Sequence, residues 1–275
     1  MATFNIKIGS ATHAGKRRKI NQDYLGFCLP KNKSQISKGS LFVLADGMGG
    51  YSGGEIASKM AVEYLINNYY TNKNNKLIYL LRDLFRETNQ NIFDLSQKVP
   101  ALTGMGTTLT AVIVKNQKLY CAHVGDSRVY LISSNKMIQL TPDHSYVADL
   151  IRSGSITKEE AKNHPKRNII TRAVGADIKL KVDMIQKRIN FQKTPYLLIC
   201  CDGLYREVSE DLIIKTVFSL RDPQSICDKL VMIANENGGS DNISVIVVLL
   251  TKKGVLGLLR EMILKYLIFR NSPNG

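Results

Sequence analysis

The sequence lacks the cysteine spacings of a metal-binding or disulfide framework. Its cysteines are odd in number and contain no Cys-x-x-Cys pair: Cys28, Cys121, Cys200, Cys201 and Cys227. Because most of them lie in apolar runs, we expect reduced thiols in the core of a cytoplasmic protein. The N-terminus also lacks the apolar segment of a signal peptide, so secretion by that route is not expected.

Acidic residues are scarce relative to basic ones. The chain has 23 Asp and Glu against 38 Lys and Arg, a formal net charge of +15. Such a surplus can favour nucleic acid, anionic membranes or phosphorylated partners, although a Lys-rich surface explains it equally well. The densest basic cluster, residues 16–19, has no interleaved aromatic side chains of the kind a single-strand-binding platform needs. We therefore predict no nucleic-acid partner.

The chain shows neither an internal repeat nor a linker that would divide its 275 residues. Helical periodicity predicts two long helices, over residues 55–70 and 77–99. Residues 4–9 read as a strand that neighbours residues 23–29. Short runs rich in Val, Ile, Thr and Tyr predict an antiparallel meander over residues 107–115, 118–124, 128–133 and 136–140. Strands and helices without strict alternation indicate a layered α+β fold.

Residues 41–45 form an unbroken apolar run that ends at an acid. The run, Leu-Phe-Val-Leu-Ala, has the length of a strand buried on both faces. Asp46 and Gly47 follow it at once. A carboxylate at the end of a buried strand is costly unless a positive group pairs with it. Asp46 is therefore predicted to be a metal ligand.

Three other acids repeat this arrangement, each within two residues of a glycine. Asp202 follows the apolar run of residues 196–201, Asp241 precedes the last apolar run, and Asp126 lies in a tight Gly-Asp-Ser turn. One such acid is common in turns, but the repetition favours metal ligands over a turn-only role. Oxygen ligands without convergent His or Cys indicate a hard divalent ion, Mg²⁺ or Mn²⁺.

Charge arithmetic then indicates the substrate. Two divalent ions held by Asp46, Asp202 and Asp241 leave a net charge of about +1, and Arg18 raises it to about +2. This charge matches a phosphate-monoester dianion. Two metals can hold a bridging water and direct it in line at phosphorus, and arginine suits the phosphate oxygens. The residues thus predict phosphate-monoester hydrolysis.

Seven motifs of the chain together resemble the protein phosphatase 2C family, in particular its bacterial members. The motifs occur in the family's order over about residues 5–250: RKINQD, ADGMGGYSGGEIAS, GMGTTLTA, AHVGDSRVYLI, LTPDHS, CDGL and GGSDNISVIVV. The family consists of metal-dependent serine/threonine phosphatases. The resemblance implies a central β-sandwich of two mostly antiparallel sheets flanked by helix pairs, in four layers αββα. It also implies a dinuclear Mn²⁺ or Mg²⁺ site.

The resemblance assigns a role to each predicted ligand. Asp46 would bridge both metals, and the Gly47 carbonyl would bind one of them. Asp202 and Asp241 would complete the other metal. Asp126, with Asp202, would help to hold a weaker third ion.

Substrate binding is assigned in the same way. Arg18 would bind the substrate phosphate, and Asp23 would support the site through water. The catalytic set is then Arg18, Asp23 and Asp46. Residues 143–175 correspond to a flap that influences substrate choice. The family's frequent His after the first Asp-Gly is Met48 here, so the sequence identifies no general acid.

Two alternatives accompany this prediction. A catalytically silent phosphoprotein-binding module of the same fold is the first, although the retained acids argue against it. The second is a cysteine phosphatase, because Cys200, Gly203 and Arg206 fit a Cys-x-x-Gly-x-x-Arg phosphate loop. Asp202 inside that loop would repel phosphate, and a buried thiol has a raised pKa. We therefore reject the second alternative.

The domain prediction separates residues 1–252, the phosphatase domain, from an apolar tail at 253–275. Within the tail, residues 255–269 would span about 22 Å as a helix, less than the ~30 Å of a bilayer core. A helix docked on its own domain, an interfacial membrane helix and a partner-binding helix all remain open. The expected protein is a monomer that opposes a serine/threonine kinase and dephosphorylates its substrates.

Overall fold

Two antiparallel β-sheets form the centre of the protein in a computed structural model. The structure describes residues 4–49, 53–134, 136–190, 193 and 195–252. The first sheet has the strand order β1 (Phe4–His13), β11 (Ile243–Lys252), β10 (Tyr196–Cys200), β7 (Arg128–Ser133) and β8 (Lys136–Gln139). The second has the order β2 (Asp23–Cys28), β3 (Ser40–Met48), β5 (Leu109–Lys115), β6 (Lys118–Val124) and β9 (Asp183–Arg188). A short strand, β4 (Gly106–Thr107), pairs with the end of β3.

A pair of helices covers the outer face of each sheet. On the second sheet these are α2 (Gly53–Tyr69) and α3 (Leu77–Lys98); on the first they are α7 (Glu210–Leu220) and α8 (Pro223–Glu236). The shorter described helices are α1 (Lys33–Ile36), α4 (Tyr146–Arg152), α5 (Lys158–Lys162) and α6 (Asp202–Tyr205). The four layers follow the order αββα, so the predicted α+β sandwich is confirmed.

Burial on both faces explains the unbroken apolar run of β3. Leu41 and Val43 pack against the helix pair α2–α3, whereas Phe42 and Leu44 face the other sheet. All four side chains are fully buried. Burial of each large apolar side chain contributes about 1.5–3 kcal/mol. The strand runs on through Asp46, Gly47 and Met48, three residues beyond the predicted end at residue 45.

Two of the predicted strand pairings are wrong. The predicted four-stranded meander is divided between the sheets: β5 and β6 pair in the second sheet, and β7 and β8 pair in the first. The chain crosses between sheets at residues 125–127. Likewise β1 pairs with β11, and β2 pairs with β3 instead of β1. Strands in a sandwich have the same apolar pattern in either sheet, so periodicity alone could not assign them.

The segment at 143–175 lies between β8 and β9 and carries α4 and α5. Its two ends are fixed: Arg128 pairs with Asp143 at 2.6 Å, and Val174 exchanges backbone hydrogen bonds with Thr107. The tail at 253–275 lies outside the described residues, and the domain boundary stays a prediction. Within the described part of the chain, no helix is long and apolar enough to span a membrane.

Candidate metal centre

The strand pairings bring the predicted carboxylates to one end of the sandwich. Asp23 and Asp46 lie opposite each other on β2 and β3. Asp202 follows β10 and Asp241 precedes β11, and these two strands are antiparallel neighbours. Asp126 lies in the crossover between the sheets. Like charges placed directly opposite on neighbouring strands are destabilising. Cations bound at this end of the sandwich would offset that repulsion.

The pKa of Asp46 reflects the carboxylates that surround it. Burial raises the pKa of Asp46 well above its ordinary value, and the charges of Asp23, Asp202, Asp126 and Asp241 raise it further. The Asp46 and Asp202 carboxyl groups are within hydrogen-bond reach of each other. Acids from distant parts of the chain therefore share one electrostatic environment.

Several buried carboxylate oxygens at this end have no hydrogen-bond partner. Both oxygens of Asp23 and Oδ1 of Asp126 accept no hydrogen bond of good geometry, although the two residues are only 6% and 2% exposed. Ser244 and Cys201 lie close enough to Asp23 to lower its pKa, but less than burial raises it. Burial raises the pKa of each of these carboxyls to about 7, and the charge of Asp202 acts in the same direction. An unpaired buried charge costs several kcal/mol. The negative charge of these oxygens is one that hard divalent ions bound nearby would offset.

Two arginines partly neutralise the carboxylates. Arg18 Nη2 lies 2.8 Å from Asp241 Oδ2, and the Arg18 side chain is 55% exposed. Arg206 Nη2 lies 2.9 Å from Asp202 Oδ2 and 3.6 Å from Asp126 Oδ2. Five carboxylates and two guanidinium groups leave three negative charges. Two divalent cations would change this to one positive charge, a favourable environment for a phosphate dianion.

The side chains do not form a closed cage on their own. Among the described residues, no three His, Cys, Asp or Glu side chains are arranged as a metal-binding group. Asp241 and Asp202 instead turn toward Arg18 and Arg206. Because Arg18 is more than half exposed, it can release Asp241 by a side-chain rotation. The donor set and the orphaned oxygens fit hard divalent ions, and loading would require that rotation.

Gly47 lies where the chain has no room for a side chain. A Cβ atom at this position would lie 2.0 Å from the carbonyl oxygen of Gly54 and 2.6 Å from that of Gln22. The Gly47 N–H donates to the Gln22 carbonyl at 3.0 Å. The N-terminus of α2 therefore approaches the backbone beside Asp46 closely, which requires glycine.

Threonines of the second sheet fix the backbone of Asp46. Thr108 Oγ1 accepts from the Asp46 N–H at 2.9 Å, and its own N–H donates to the Asp46 carbonyl at 2.8 Å. Thr107 Oγ1 donates to the same carbonyl at 2.9 Å. The sequence motif contained both threonines, but nothing in their spacing revealed this contact.

Asn242 holds the loop that carries Arg18. It is only 5% exposed. Its Oδ1 accepts from the Gln22 N–H at 2.8 Å, and its Nδ2 donates to the carbonyls of Ala14 and Ile20 at 2.9 and 3.0 Å. These partners are more than 200 residues away in sequence, so sequence reasoning missed the role.

His144 supports the turn that contains Asp126. Its Nδ1 accepts from the Gly125 N–H at 3.0 Å, and its Nε2 lies 3.2 Å from Asp183. The ring is buried, and burial lowers its pKa. These contacts give His144 a structural role at the turn.

The cysteine-phosphatase alternative has no support from the geometry. Cys200 lies in β10 with no exposed surface, and burial raises the pKa of its thiol. Asp202 pairs with Arg206, the residue that would have to bind phosphate in that mechanism. A buried neutral thiol beside a carboxylate is a poor nucleophile.

Known proteins are similar to this chain in sequence and in fold. The family model described as Protein phosphatase 2C matches residues 9–149, just over half of the chain. The "Serine/threonine phosphatase stp" of Listeria monocytogenes is 38% identical over 249 residues, which cover 88% of this chain and 96% of the relative.

Solved structures agree with the sequence comparison. A crystal structure of a bacterial serine phosphatase has a TM-score of 0.84 and 32% identity, and covers 91% of this chain and 100% of the other. The catalytic domain of the serine threonine protein phosphatase PstP, solved in complex with two manganese ions, has a TM-score of 0.78 and 28% identity. It covers 91% of this chain and 100% of that one. On this evidence the chain belongs to the protein phosphatase 2C family.

Proposed function

We propose that the protein is a metal-dependent serine/threonine phosphatase that hydrolyses phosphoserine and phosphothreonine in proteins. The observation that carries this proposal is the gathering of five aspartates, with orphaned buried oxygens, at one end of the sandwich. A catalytically silent module would not need these costly charges, and no contact in the described residues favours that alternative.

The residues that would hold two Mn²⁺ or Mg²⁺ ions are Asp46, the Gly47 carbonyl, Asp202 and Asp241. Asp23 would support the centre from the neighbouring strand, through water. When bound, the ions supply positive charge and lower the pKa of a water that can attack phosphorus in line. The sequence also predicts a weaker third ion, held by Asp126 with Asp202.

Arg18 is the proposed phosphate-binding residue. Its guanidinium is exposed at the rim and lies on the Asp241 side of the carboxylate group. A guanidinium offers two parallel donors to a phosphate, which orients the ester as well as attracting it. Once Arg18 leaves Asp241, its donors are free for the substrate.

The substrate class follows from the charge around this rim. Residues 16–19 are all basic and all exposed. A phosphorylated segment with acidic neighbours would be attracted to them, with a strength that falls as salt rises. We propose that a serine/threonine kinase supplies these phosphoproteins, and that the enzyme acts on them as a monomer in the cytoplasm.

A turnover assay tests the proposed activity. The purified protein should hydrolyse p-nitrophenyl phosphate and phosphoserine or phosphothreonine peptides with MnCl₂, and lose this activity in EDTA. Asp46→Asn should lower kcat at least about 100-fold, the scale of a lost electrostatic stabiliser. Asp228→Asn, an exposed change on α8, is the matched control and should retain activity. No turnover at saturating Mn²⁺ would refute the proposal.

The tail at 253–275 is proposed to contact a membrane surface or a partner protein. Its apolar residues lie outside the described part of the chain, so the argument rests on sequence alone. Truncation after residue 253 tests the proposal by cell fractionation. Unchanged fractionation and unchanged solubility would exclude both contacts.

A further inference from the structure

Arg206 lies between the two acids that are expected to hold the third ion. It follows α6 directly and is four residues after Asp202, so its side chain reaches back over one helical turn. A single nitrogen, Nη2, faces both carboxylates, at 2.9 Å from Asp202 Oδ2 and 3.6 Å from Asp126 Oδ2. A guanidinium is thus placed at the centre of the predicted third site.

The Arg206 guanidinium and a third divalent ion cannot occupy this site at the same time. A divalent ion bound by Asp126 and Asp202 would lie about 2.0–2.6 Å from their oxygens, in the space that Nη2 occupies. The two positive charges would also repel each other strongly at this distance, because Asp126 and Asp202 are both buried residues. An ion could enter only if Arg206 left.

The surroundings hold Arg206 in place. Its other terminal nitrogen, Nη1, donates to Asn168 Oδ1 in the 143–175 segment. The preceding residue, Tyr205, donates its hydroxyl to the Asp126 carbonyl at 3.2 Å, and Arg128 stacks 3.6 Å from the Tyr205 ring. The Arg206 side chain is 27% exposed, against 55% for Arg18. Unlike Arg18, it is anchored at both ends of its fork.

We propose that the Arg206 guanidinium takes the place of the weaker third ion, so that the protein binds two divalent cations and supplies the third positive group itself. The inference rests on the proposed function for the two-ion centre alone. It corrects the predicted role of Asp126, whose carboxylate then pairs with Arg206 and does not bind a metal ion.

Counting bound Mn²⁺ tests this inference without an activity measurement. The probe is MnCl₂ alone, titrated into the full-length protein and followed by isothermal titration calorimetry, with equilibrium dialysis and elemental analysis as the count. The wild type should bind two ions per chain. Arg206→Met removes the guanidinium at similar length and should bind three. Adding Asp126→Asn to that variant should return the count to two.

Two further variants keep the test decisive. Arg152→Met removes an exposed arginine that pairs with Asp149 in the 143–175 segment, and it should leave the count at two. Arg206→Lys keeps a cation at this position and should also bind two ions. This variant gives a result even if circular dichroism shows that Arg206→Met is misfolded.

Three results would overturn the inference. The first is a wild type that binds three ions and loses one with Asp126→Asn. The second is a folded Arg206→Met variant that still binds two. A wild type that binds no Mn²⁺ would instead refute the two-ion centre, and with it this inference.

Discussion

Replacing Asn242 with alanine should loosen the loop that carries Arg18 without touching a carboxylate. Three hydrogen bonds would be lost, to the N–H of Gln22 and to the carbonyls of Ala14 and Ile20. Each buried group left unpaired costs about 1–3 kcal/mol, and water molecules that enter the vacated space offset part of this cost. We therefore expect a loss of about 2–4 kcal/mol of unfolding free energy, in the upper range for a single substitution.

Thermal unfolding followed by circular dichroism measures this loss. In a domain of this size, 1 kcal/mol shifts Tm by roughly 2–4 °C, so the expected decrease is about 4–16 °C. Measurement in EDTA keeps metal binding from contributing. The matched control is Asn237→Ala, because that side chain is exposed and, among the described residues, donates only to the Glu207 carbonyl. Its Tm should fall by only about 1–3 °C.

A kinetic consequence follows from the same change. Since Arg18 sits in the loosened loop, Asn242→Ala should raise KM for p-nitrophenyl phosphate in MnCl₂ more than it lowers kcat. The reasoning would be refuted if Asn242→Ala and Asn237→Ala unfolded at the same temperature.

Three other predictions concern the charged groups and thiols. In EDTA, the unfolding free energy should fall as pH rises from about 4 to 7, because folded Asp23, with its pKa near 7, retains a proton that the unfolded chain releases; urea denaturation of Asp23→Asn should show a weaker dependence. Arg18→Ala should raise KM for phosphate esters about tenfold or more, and Arg18→Lys should restore only part of it, since lysine lacks the fork. Iodoacetamide should leave turnover intact, because Cys200 is buried; turnover that is abolished by iodoacetamide but survives EDTA would contradict this.

The sequence was informative where polarity changes abruptly. An acid that directly follows a run buried on both faces, as at Asp46 and Asp202, is unusual enough to predict a site. The same reasoning could not assign strands to sheets, because β5, β6 and β7 all consist largely of buried apolar residues. The crossover depends on Gly125, which has φ of 112° and lies against Thr108, a contact that no local pattern reveals.

Residues that support the site were harder to predict than those that form it. Asn242 and Thr108 act through hydrogen bonds to backbone groups far away in sequence, and such partners leave no spacing signal. Arg206 is a different case. Its position four residues after Asp202 was visible, and i,i+4 pairs of opposite charge are a known helical contact. Its approach to Asp126 depends on the tertiary structure.

The most direct test of the two-ion centre is anomalous diffraction at the manganese edge from crystals soaked in MnCl₂. The account predicts two peaks, enclosed by the carboxylates of Asp46, Asp202 and Asp241, with Arg18 turned away from Asp241. Diffraction that showed no peak at this end of the sandwich, or manganese bound only at other acids, would contradict it.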